Sequence, residues 1–293
     1  MLQKLKIWVK ALRLKTLVVS IAAVTIGLSL PLNHVDEFPL VIFVGCLVFA
    51  IFVQVGTNFT NDYFDFINGA DSNRELGPDR VVASGFLSPS KIKDAYRFSF
   101  LMALVVGASL VLHINASLWF FPFGILCITA GYCYTGGPYP FAYNGLGDIF
   151  VVLFFGFGAV EGTNLLICQS VGIDWIPAYH VSGSVGMLIN NLLVVNNYRD
   201  YEADLAVNKR TSVVIFGKKF GIFLYLFGFI CPCTFFLLNG NSDLIVTSCL
   251  VLGFLGLLFL VRAKSKSGFS KSLSITVLNV ISFAVLFLFN SIQ

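Results

Sequence analysis

The chain has 293 residues, of which 57% are hydrophobic and 12% are charged. A charged fraction about half of the roughly 25% typical of soluble domains excludes an ordinary water-soluble protein. The net charge of +4 gives no reason to expect nucleic acid as a partner, because contact with anionic lipid headgroups accounts for such an excess. The composition predicts a polytopic membrane protein.

Nine apolar stretches follow one another along the chain, each near the length of about 20 residues that a spanning helix needs. They lie near residues 16–32, 38–58, 98–114, 118–134, 147–168, 176–196, 220–238, 243–261 and 272–290. The basic segment before the first stretch is expected to be interfacial, since no small-residue cleavage pattern of a signal peptide follows it. An all-α membrane protein with nine transmembrane helices is therefore predicted.

The positions of the basic residues predict the orientation. If the N-terminus is cytoplasmic, all 19 Lys and Arg residues fall in segments on the cytoplasmic side. Those segments are the start of the chain, the loops near 59–97 and 197–219, and the linker near 262–271. Because positive charge is retained on the cytoplasmic side of a membrane, a cytoplasmic N-terminus is predicted. The outer loops are brief, so function is expected at the cytoplasmic face.

Two clusters of Asp and Asn follow apolar stretches, NDYFDFINGAD at 61–71 and NNYRDYEAD at 196–204. The first ends the second predicted helix and the second ends the sixth, so both emerge on the same side of the membrane. Their matching order of Asn and Asp favours two four-helix units, near 16–134 and 147–261, followed by a ninth helix. These units would together form one transmembrane domain over residues 1–293.

Helical spacing places polar side chains of each cluster on one face of a helix. Asn61 and Asp65 are four residues apart, as are Asp200 and Asp204, so each pair lies on one helix face. Their oxygens are hard ligands that suit Mg²⁺, which prefers one or two carboxylates together with waters and substrate phosphates. Three basic residues occur near the clusters in sequence, namely Arg80, Lys209 and Arg210. The clusters are therefore predicted to form a clamp for Mg²⁺ and diphosphate.

These clusters, the second extended to NNYRDYEADLAVNKRT at 196–211, resemble the two Asp-rich motifs of the UbiA superfamily of intramembrane prenyltransferases. The segment YTGGPYPFAYNGLGDIFVVLFFG at 134–156 and the DFxxGxD spacing in the first motif resemble its 1,4-dihydroxy-2-naphthoate polyprenyltransferase branch, which serves the menaquinone pathway. The resemblance extends from Arg13 to about Phe216. The last three helices match in hydropathy only. Asn208 stands where that branch usually has Gly.

The resemblance implies a ring of helices around a central cavity, with the acidic motifs at its cytoplasmic mouth. The implied metal-binding positions are Asn61, Asp65, Asp200 and Asp204, supported by Asp62, Asp71 and Asn197. The implied diphosphate-binding positions are Arg80, Lys209 and Arg210, together with Asn61 and Asn197. Asp65, Asp200 and Asp204 are expected to be catalytic, and Mg²⁺ is the expected cofactor.

The implied reaction is Mg²⁺-dependent transfer of a polyprenyl group from an all-trans polyprenyl diphosphate to 1,4-dihydroxy-2-naphthoate, with decarboxylation, giving demethylmenaquinol. The implied location is a bacterial inner membrane, with these substrates and membrane lipid as partners and no protein partner. Four tyrosines could present ring faces to an allylic cation, although interfacial tyrosine is equally common as a membrane anchor. They are Tyr132, Tyr134, Tyr139 and Tyr143, of which Tyr134 is taken as a site residue.

Two further acids lie in the fifth predicted helix. Asp148 in GLGD is expected in the site, where it would cap the helix or orient a substrate. Glu161 lies deeper, where an ionisable group is costly unless it is paired or faces a cavity. Glu161 would contact the aromatic acceptor or hydrogen bond as a neutral acid. No role is expected for the seven Cys or three His residues.

Other functions stay open at this point. Within the enzyme class they are phytyl transfer to homogentisate or naphthoate, ubiquinone-type prenyl transfer, haem farnesyl transfer and chlorophyll esterification. Outside it, a cation-coupled transporter also uses intramembrane acids and internal repeats. Such a transporter usually places its acids near the bilayer midplane on interrupted helices, whereas here they lie at helix ends beside basic residues.

Overall fold

The computed structural model describes residues 2–71, 75–238 and 243–292. The regular elements of these residues are helices. They are α1 Leu2–Leu12, α2 Leu14–Ser29, α3 Leu40–Ile67, α4 Pro89–His113, α5 Phe120–Cys133, α6 Gly147–Val151, α7 Gly162–Val171, α8 Tyr179–Arg199, α9 Tyr201–Ala206, α10 Ser212–Phe216, α11 Lys218–Leu238, α12 Asp243–Arg262 and α13 Lys266–Asn290. A π-helical segment, Val152–Glu161, joins α6 to α7.

Seven of the helical segments in the described ranges are long and apolar enough to cross a membrane. They are Leu14–His34, Leu40–Ile67, Pro89–His113, Gly147–Val171, Lys218–Leu238, Asp243–Arg262 and Lys266–Asn290. These segments confirm an all-helical, multi-pass membrane protein. The predicted fourth and sixth spans are helical as well, but α5 has only 14 residues and α8 is rich in Asn. Nine spans and a cytoplasmic N-terminus therefore stay predictions.

The two acidic motifs end their helices differently. Helix α3 continues through most of the first motif to Ile67, so its acids lie on the last helical turns. Helix α8 ends at Arg199, and Asp200 stands at the junction with the short α9. The amide N–H of Asp204 still donates to the carbonyl oxygen of Asp200 at 2.8 Å. The predicted four-residue spacing therefore survives the interruption.

The helices surround a cavity of about 830 Å³. Helix α2 packs against α3 on one side and α13 on the other, α8 packs against α11, and α12 packs against α13. Side chains from α2, α3, α5, the π-helical segment, α8 and α13 line the cavity. Its walls are mostly apolar, and the two acidic motifs lie together at one end of it, which is called the acidic end below.

Two glycines let the π-helical segment contact α8 directly. A Cβ atom built on Gly156 would lie 2.3 Å from the carbonyl oxygen of Ser182. One built on Gly186 would lie 2.7 Å from the carbonyl oxygen of Val152. Both distances are below van der Waals contact, so the two backbones approach more closely than a larger residue would allow.

Glu161 ties the end of the π-helical segment to the start of α8. Its Oε1 accepts hydrogen bonds from the backbone N–H of Ala178 at 2.9 Å and the hydroxyl of Ser182 at 2.7 Å. Its Oε2 accepts from Asn164 Nδ2 at 3.1 Å and Trp175 Nε1 at 3.3 Å. A carboxylate can accept all four. Glu161 is buried outside the set of cavity-lining residues, so a contact with an acceptor in that cavity has no support here.

Candidate active site

Asp62 and Asp65 lie near the C-terminal end of α3 and line the cavity. They are 1% and 3% exposed, and carboxylates buried to this degree need charged or hydrogen-bonding partners. Asp62 Oδ1 accepts from the guanidinium groups of Arg13 and Arg80. Arg13 separates α1 from α2 and has a left-handed backbone, with φ 53°. Its ion pair with Asp62 helps to hold that unfavourable conformation.

Asp65 brings three parts of the chain together. Its Oδ1 accepts from the hydroxyl of Tyr143 at 2.8 Å and from Lys209 Nζ at 3.1 Å. Its Oδ2 lies 3.9 Å from Arg80 NH2. Asp65 therefore connects α3 with the turn that precedes α6 and with the loop that follows α9.

Arg80 contacts three acids of the first motif. It donates to Asp62 at 3.1 Å and lies 3.6 Å from Asp71 through its Nε atom. Together with the contact to Asp65, this places one planar guanidinium against three carboxylates. Asp71 is not one of the described residues that line the cavity, and it is connected to the site through this contact with Arg80.

The Asn residues of the first motif are engaged as well. Asn61 lines the cavity, and its Oδ1 accepts from the Thr135 hydroxyl at 2.6 Å. One turn earlier, Asn58 Nδ2 donates to the carbonyl oxygen of Leu12 at 2.9 Å and to Thr16 Oγ1 at 2.8 Å. The two bonds of Asn58, which precedes the motif, hold α3 against the end of α1 and the start of α2, beside the predicted metal-binding positions.

The second motif lies on the facing wall of the cavity. The Nε and NH2 atoms of Arg199 donate two parallel hydrogen bonds to the carboxylate of Asp200, both 2.7 Å. Asp204 lies 3.9 Å from Lys209 Nζ, the same amine that contacts Asp65. Asn197 also lines the cavity. Lys209 therefore joins the two motifs, and the predicted pairing of the clusters at one site has direct geometric support.

Not every predicted residue reaches the cavity. The exposed Arg210 is tied in through its backbone N–H, which donates to the carbonyl oxygen of Tyr143 at 3.2 Å. Asp148 lies behind the wall, where its Oδ1 accepts from Asn190 Nδ2 at 3.0 Å. Neither residue belongs to the described lining. Tyr134 does line the cavity, as predicted.

Sequence reasoning assigned no site role to Arg13 or Arg199. Arg199 stands inside the second motif, so its position beside Asp200 was itself a signal. Arg13 lies 49 residues before Asp62, and the sequence shows only that it is a basic residue just before the first predicted span. Such long-range partners are specified by packing.

Tyr143 is held as a hydrogen-bond donor. Burial raises the pKa of its hydroxyl, and the nearby carboxylate of Asp65 raises it further. The hydroxyl therefore stays protonated at neutral pH and donates to Asp65. Lys209 Nζ also lies 4.9 Å from the centre of the Tyr143 ring, so the ring helps to hold the ammonium group.

The donor atoms of the site suit Mg²⁺. They are carboxylate and carboxamide oxygens, the hard ligands that Mg²⁺ prefers. Within the described ranges, no three His, Cys, Asp or Glu side chains are grouped closely enough to hold a metal by themselves.

Sequence comparison identifies the family. The model of the UbiA prenyltransferase family matches residues 20–291, so the chain belongs to that family. It is 34% identical to 1,4-dihydroxy-2-naphthoate octaprenyltransferase of Haemophilus influenzae, over 75% of this chain and 72% of that protein. It is 36% identical to the protein of the same name in Mycobacterium tuberculosis, over 61% of this chain but only 59% of that protein.

A solved structure supports the fold. The UbiA homolog from Archaeoglobus fulgidus bound to DMAPP and Mg²⁺ superposes with a TM-score of 0.63 and 15% sequence identity. The superposition covers 95% of this chain and 99% of that one. The helical arrangement around the cavity is therefore the UbiA fold. The family match and the curated relatives make the chain a prenyltransferase.

Proposed function

We propose that this protein transfers a polyprenyl group from an all-trans polyprenyl diphosphate to 1,4-dihydroxy-2-naphthoate, with loss of the carboxyl group as CO₂, to give demethylmenaquinol. The observation that carries the proposal is the bridge from Asp65 through Lys209 to Asp204. It gathers both acidic motifs at one polar end of an otherwise apolar cavity, which suits a substrate with a charged head and a hydrocarbon tail. The curated relatives at 34% and 36% identity, which are naphthoate octaprenyltransferases, support the choice of acceptor.

The basic residues would bind the diphosphate. Arg80 and Lys209 are partly buried against the acids and carry N–H groups that can turn to phosphate oxygens. Arg13 would add a third charge at the same end. Guanidinium and ammonium groups form strong, charge-assisted bonds with phosphate, so they favour the diphosphate as it gains negative charge on leaving.

The acids and amides would hold Mg²⁺. The proposed ligands are Asn61, Asp62 and Asp65 in the first motif and Asp200 and Asp204 in the second, with Asn197 beside them. Bound Mg²⁺ supplies positive charge that stabilises the departing diphosphate. Asp71 acts through its contact with Arg80.

The chemistry needs a dry space next to the clamp. The allylic C–O bond breaks, a ring carbon of the acceptor bonds to the allylic carbon, and the carboxyl group leaves that ring. The apolar walls exclude the water that would otherwise capture the allylic cation. Tyr134 lines this space, and its ring would stabilise the allylic cation there, because cation–π attraction is stronger in a desolvated site. Asp148, bonded to Asn190, would position the wall beside it.

The positive-inside pattern supports a cytoplasmic N-terminus and an acidic end on the cytoplasmic side. In a protein with nine spans, the diphosphate head and the naphthoate would enter from the cytoplasmic face. The polyprenyl tail would extend into the membrane-embedded cavity. Bacterial relatives support a bacterial inner membrane. The two-unit organisation, residues 16–134 and 147–261 before a last helix, would account for matched motifs on opposite walls.

An acceptor panel tests the proposal. Membranes containing the protein would be given an all-trans polyprenyl diphosphate with dihydroxynaphthoate, hydroxybenzoate or homogentisate. We expect diphosphate release and a prenylated, decarboxylated quinol from the naphthoate. Product from hydroxybenzoate or homogentisate instead would assign the protein to another branch of the family.

A further inference from the structure

The cavity-lining cations fall into two groups. Within the described ranges, seven Lys and Arg residues line the cavity: Lys10, Arg13, Lys15, Arg80, Arg199, Lys209 and Lys266. Six of them lie within 4.0 Å of a carboxylate oxygen. Lys15 is the exception. Its hydrogen bonds in this structure go to neutral oxygens.

Those oxygens belong to the first turns of α13. Lys15 Nζ lies 2.9 Å from Ser274 Oγ, and 3.4 Å from both the hydroxyl and the carbonyl oxygen of Ser270. The Ser274 hydroxyl donates to the carbonyl oxygen of Ser270 at 2.9 Å. Lys15 thus links α2 to α13, and the ion pairs of the described residues give it no acid partner.

The Lys15 ammonium lies beside an apolar wall. The guanidinium of Arg199 also acts on it electrostatically, although that guanidinium is paired with Asp200. Ser270, Phe269 and Leu273 line the same part of the cavity. An ammonium, a hydroxyl and flanking hydrocarbon side chains together suit an aromatic ring that carries one anionic group.

We propose that Lys15 and the Ser270 hydroxyl bind the carboxylate of the aromatic acceptor. The inference rests on the proposed function, to which it adds the residues that select a carboxylated acceptor. A diphosphate needs acids nearby to share its Mg²⁺, and Lys15 has no carboxylate within 4.0 Å among the described residues. A monoanion needs only one cation and a hydroxyl donor. The acceptor would then approach the clamp from the α2–α13 side.

The test separates acceptor binding from every other step. Purified Lys15→Gln would be compared with wild type at saturating prenyl diphosphate, with 1,4-dihydroxy-2-naphthoate varied. We expect the KM for the naphthoate to rise roughly 10- to 100-fold, as for loss of a hydrogen-bonded charge. The KM for prenyl diphosphate should stay unchanged. The inhibition constant of 1,4-dihydroxynaphthalene, which lacks the carboxylate, should also stay unchanged. Lys15→Arg should restore binding of the naphthoate.

A matched control is Lys266→Gln. Lys266 also lines the cavity but pairs with the exposed Asp79 at 3.4 Å, so its replacement should leave the KM for the naphthoate within about 3-fold. An unchanged naphthoate KM in Lys15→Gln would overturn the proposal. A rise in the KM for prenyl diphosphate would overturn it too, because Lys15 would then bind the other substrate.

Two further measurements keep the outcome decisive. If Lys15→Gln fails to fold, Ser270→Ala replaces it and must raise the KM for the naphthoate. Equal affinity of the wild type for the naphthoate, measured as its binding constant, and for the diol analogue, measured as its inhibition constant, contradicts the subsite. If the wild type does not prenylate the naphthoate, the proposed function fails. The subsite is then judged by equilibrium binding of the naphthoate, which Lys15→Gln must weaken for the subsite to stand.

Discussion

Lys209 Nζ lies 3.1 Å from Asp65 Oδ1, although the two residues are 144 positions apart in the chain. The same amine lies 3.9 Å from Asp204 on the other motif. One side chain thus joins acids carried by α3 and α9. A change at either acid is therefore expected to affect both halves of the clamp.

Replacing Asp65 by Asn should remove turnover. The substitution keeps the shape but removes the charge that pairs with Lys209 and Arg80 and that would bind Mg²⁺. We expect the rate of prenyl transfer to fall by about 100-fold or more, measured as diphosphate release. Expression in the membrane should be unchanged. The exposed Asp94, 4.0 Å from Arg97, provides the control: Asp94→Asn should behave as wild type. Wild-type rates in Asp65→Asn would remove it from the site.

Tyr143→Phe tests the donor that holds Asp65. It deletes the hydroxyl 2.8 Å from Asp65 but keeps the ring beside Lys209. We expect a rate lower by roughly 10-fold, as for one hydrogen bond to a charged group. Because burial and Asp65 raise the pKa of Tyr143, the wild-type rate should show no loss from Tyr143 ionisation between about pH 8 and 10. Wild type and Tyr143→Phe should therefore have the same pH profile there. A step seen in the wild type alone would contradict this assignment.

Removal of divalent metal should stop the reaction. The oxygen donors of the two motifs need Mg²⁺ to couple them to a diphosphate, since carboxylates alone would repel it. Excess EDTA should abolish product, and added Mg²⁺ should restore it, measured on the same membranes. Full activity with EDTA would rule out the metal-dependent mechanism.

Glu161→Ala should reduce stability more than acceptor binding. It strands the buried backbone N–H of Ala178 and removes one acceptor each from Asn164, Ser182 and Trp175. A stranded buried donor costs about 1–3 kcal/mol, so detergent-solubilised protein should lose its fold at a lower temperature. The KM for the acceptor should change little in the protein that remains folded. A large rise in that KM with unchanged thermal stability would assign Glu161 to substrate binding.

The control for Glu161 lies in the neighbouring loop. Asp174 is an exposed acid, and Asp174→Asn should leave thermal stability unchanged within about 0.5 kcal/mol.

Gly156→Ala tests the contact between the π-helical segment and α8. The new methyl group would lie 2.3 Å from the carbonyl oxygen of Ser182, so the two backbones must separate at a cost of about 1–3 kcal/mol. The control is Gly183→Ala in α8. Its new methyl group would lie at an ordinary contact distance of 3.9 Å from Phe157, so this change should be tolerated. Thermal unfolding of the two variants decides the matter: equal stability would show that the contact yields without cost.

Patterns within short stretches of sequence predicted the positions of the helices and the placement of neighbouring acids on them. Apolar length located the helices, and four-residue spacing placed Asp200 and Asp204 on one side. The partners of these acids were not readable in the same way. Arg13 reaches Asp62 only because the chain bends at a left-handed residue between α1 and α2, and no periodicity encodes that bend.

The fifth predicted span shows the same limit. Its hydropathy predicted a continuous helix over 147–168, but ten residues of it, Val152–Glu161, are π-helical. The close approach of Gly156 to α8 and the bonds of Glu161 to the following loop accompany this stretch, and both are tertiary contacts. Asp148 likewise turned out to lie behind the cavity wall with Asn190, because its direction depends on how α6 packs against α8.

Asp79 and Arg80 are consecutive residues whose side chains point in opposite directions. Asp79 is exposed and meets Lys10 of α1 and Lys266 of α13 at the rim, whereas Arg80 points inward to the acids. A movement of the Arg80 side chain that pulled on its backbone would therefore be transmitted across one peptide bond to both rim helices. The spacing of α1 and α13 would then respond to the charge that Arg80 binds.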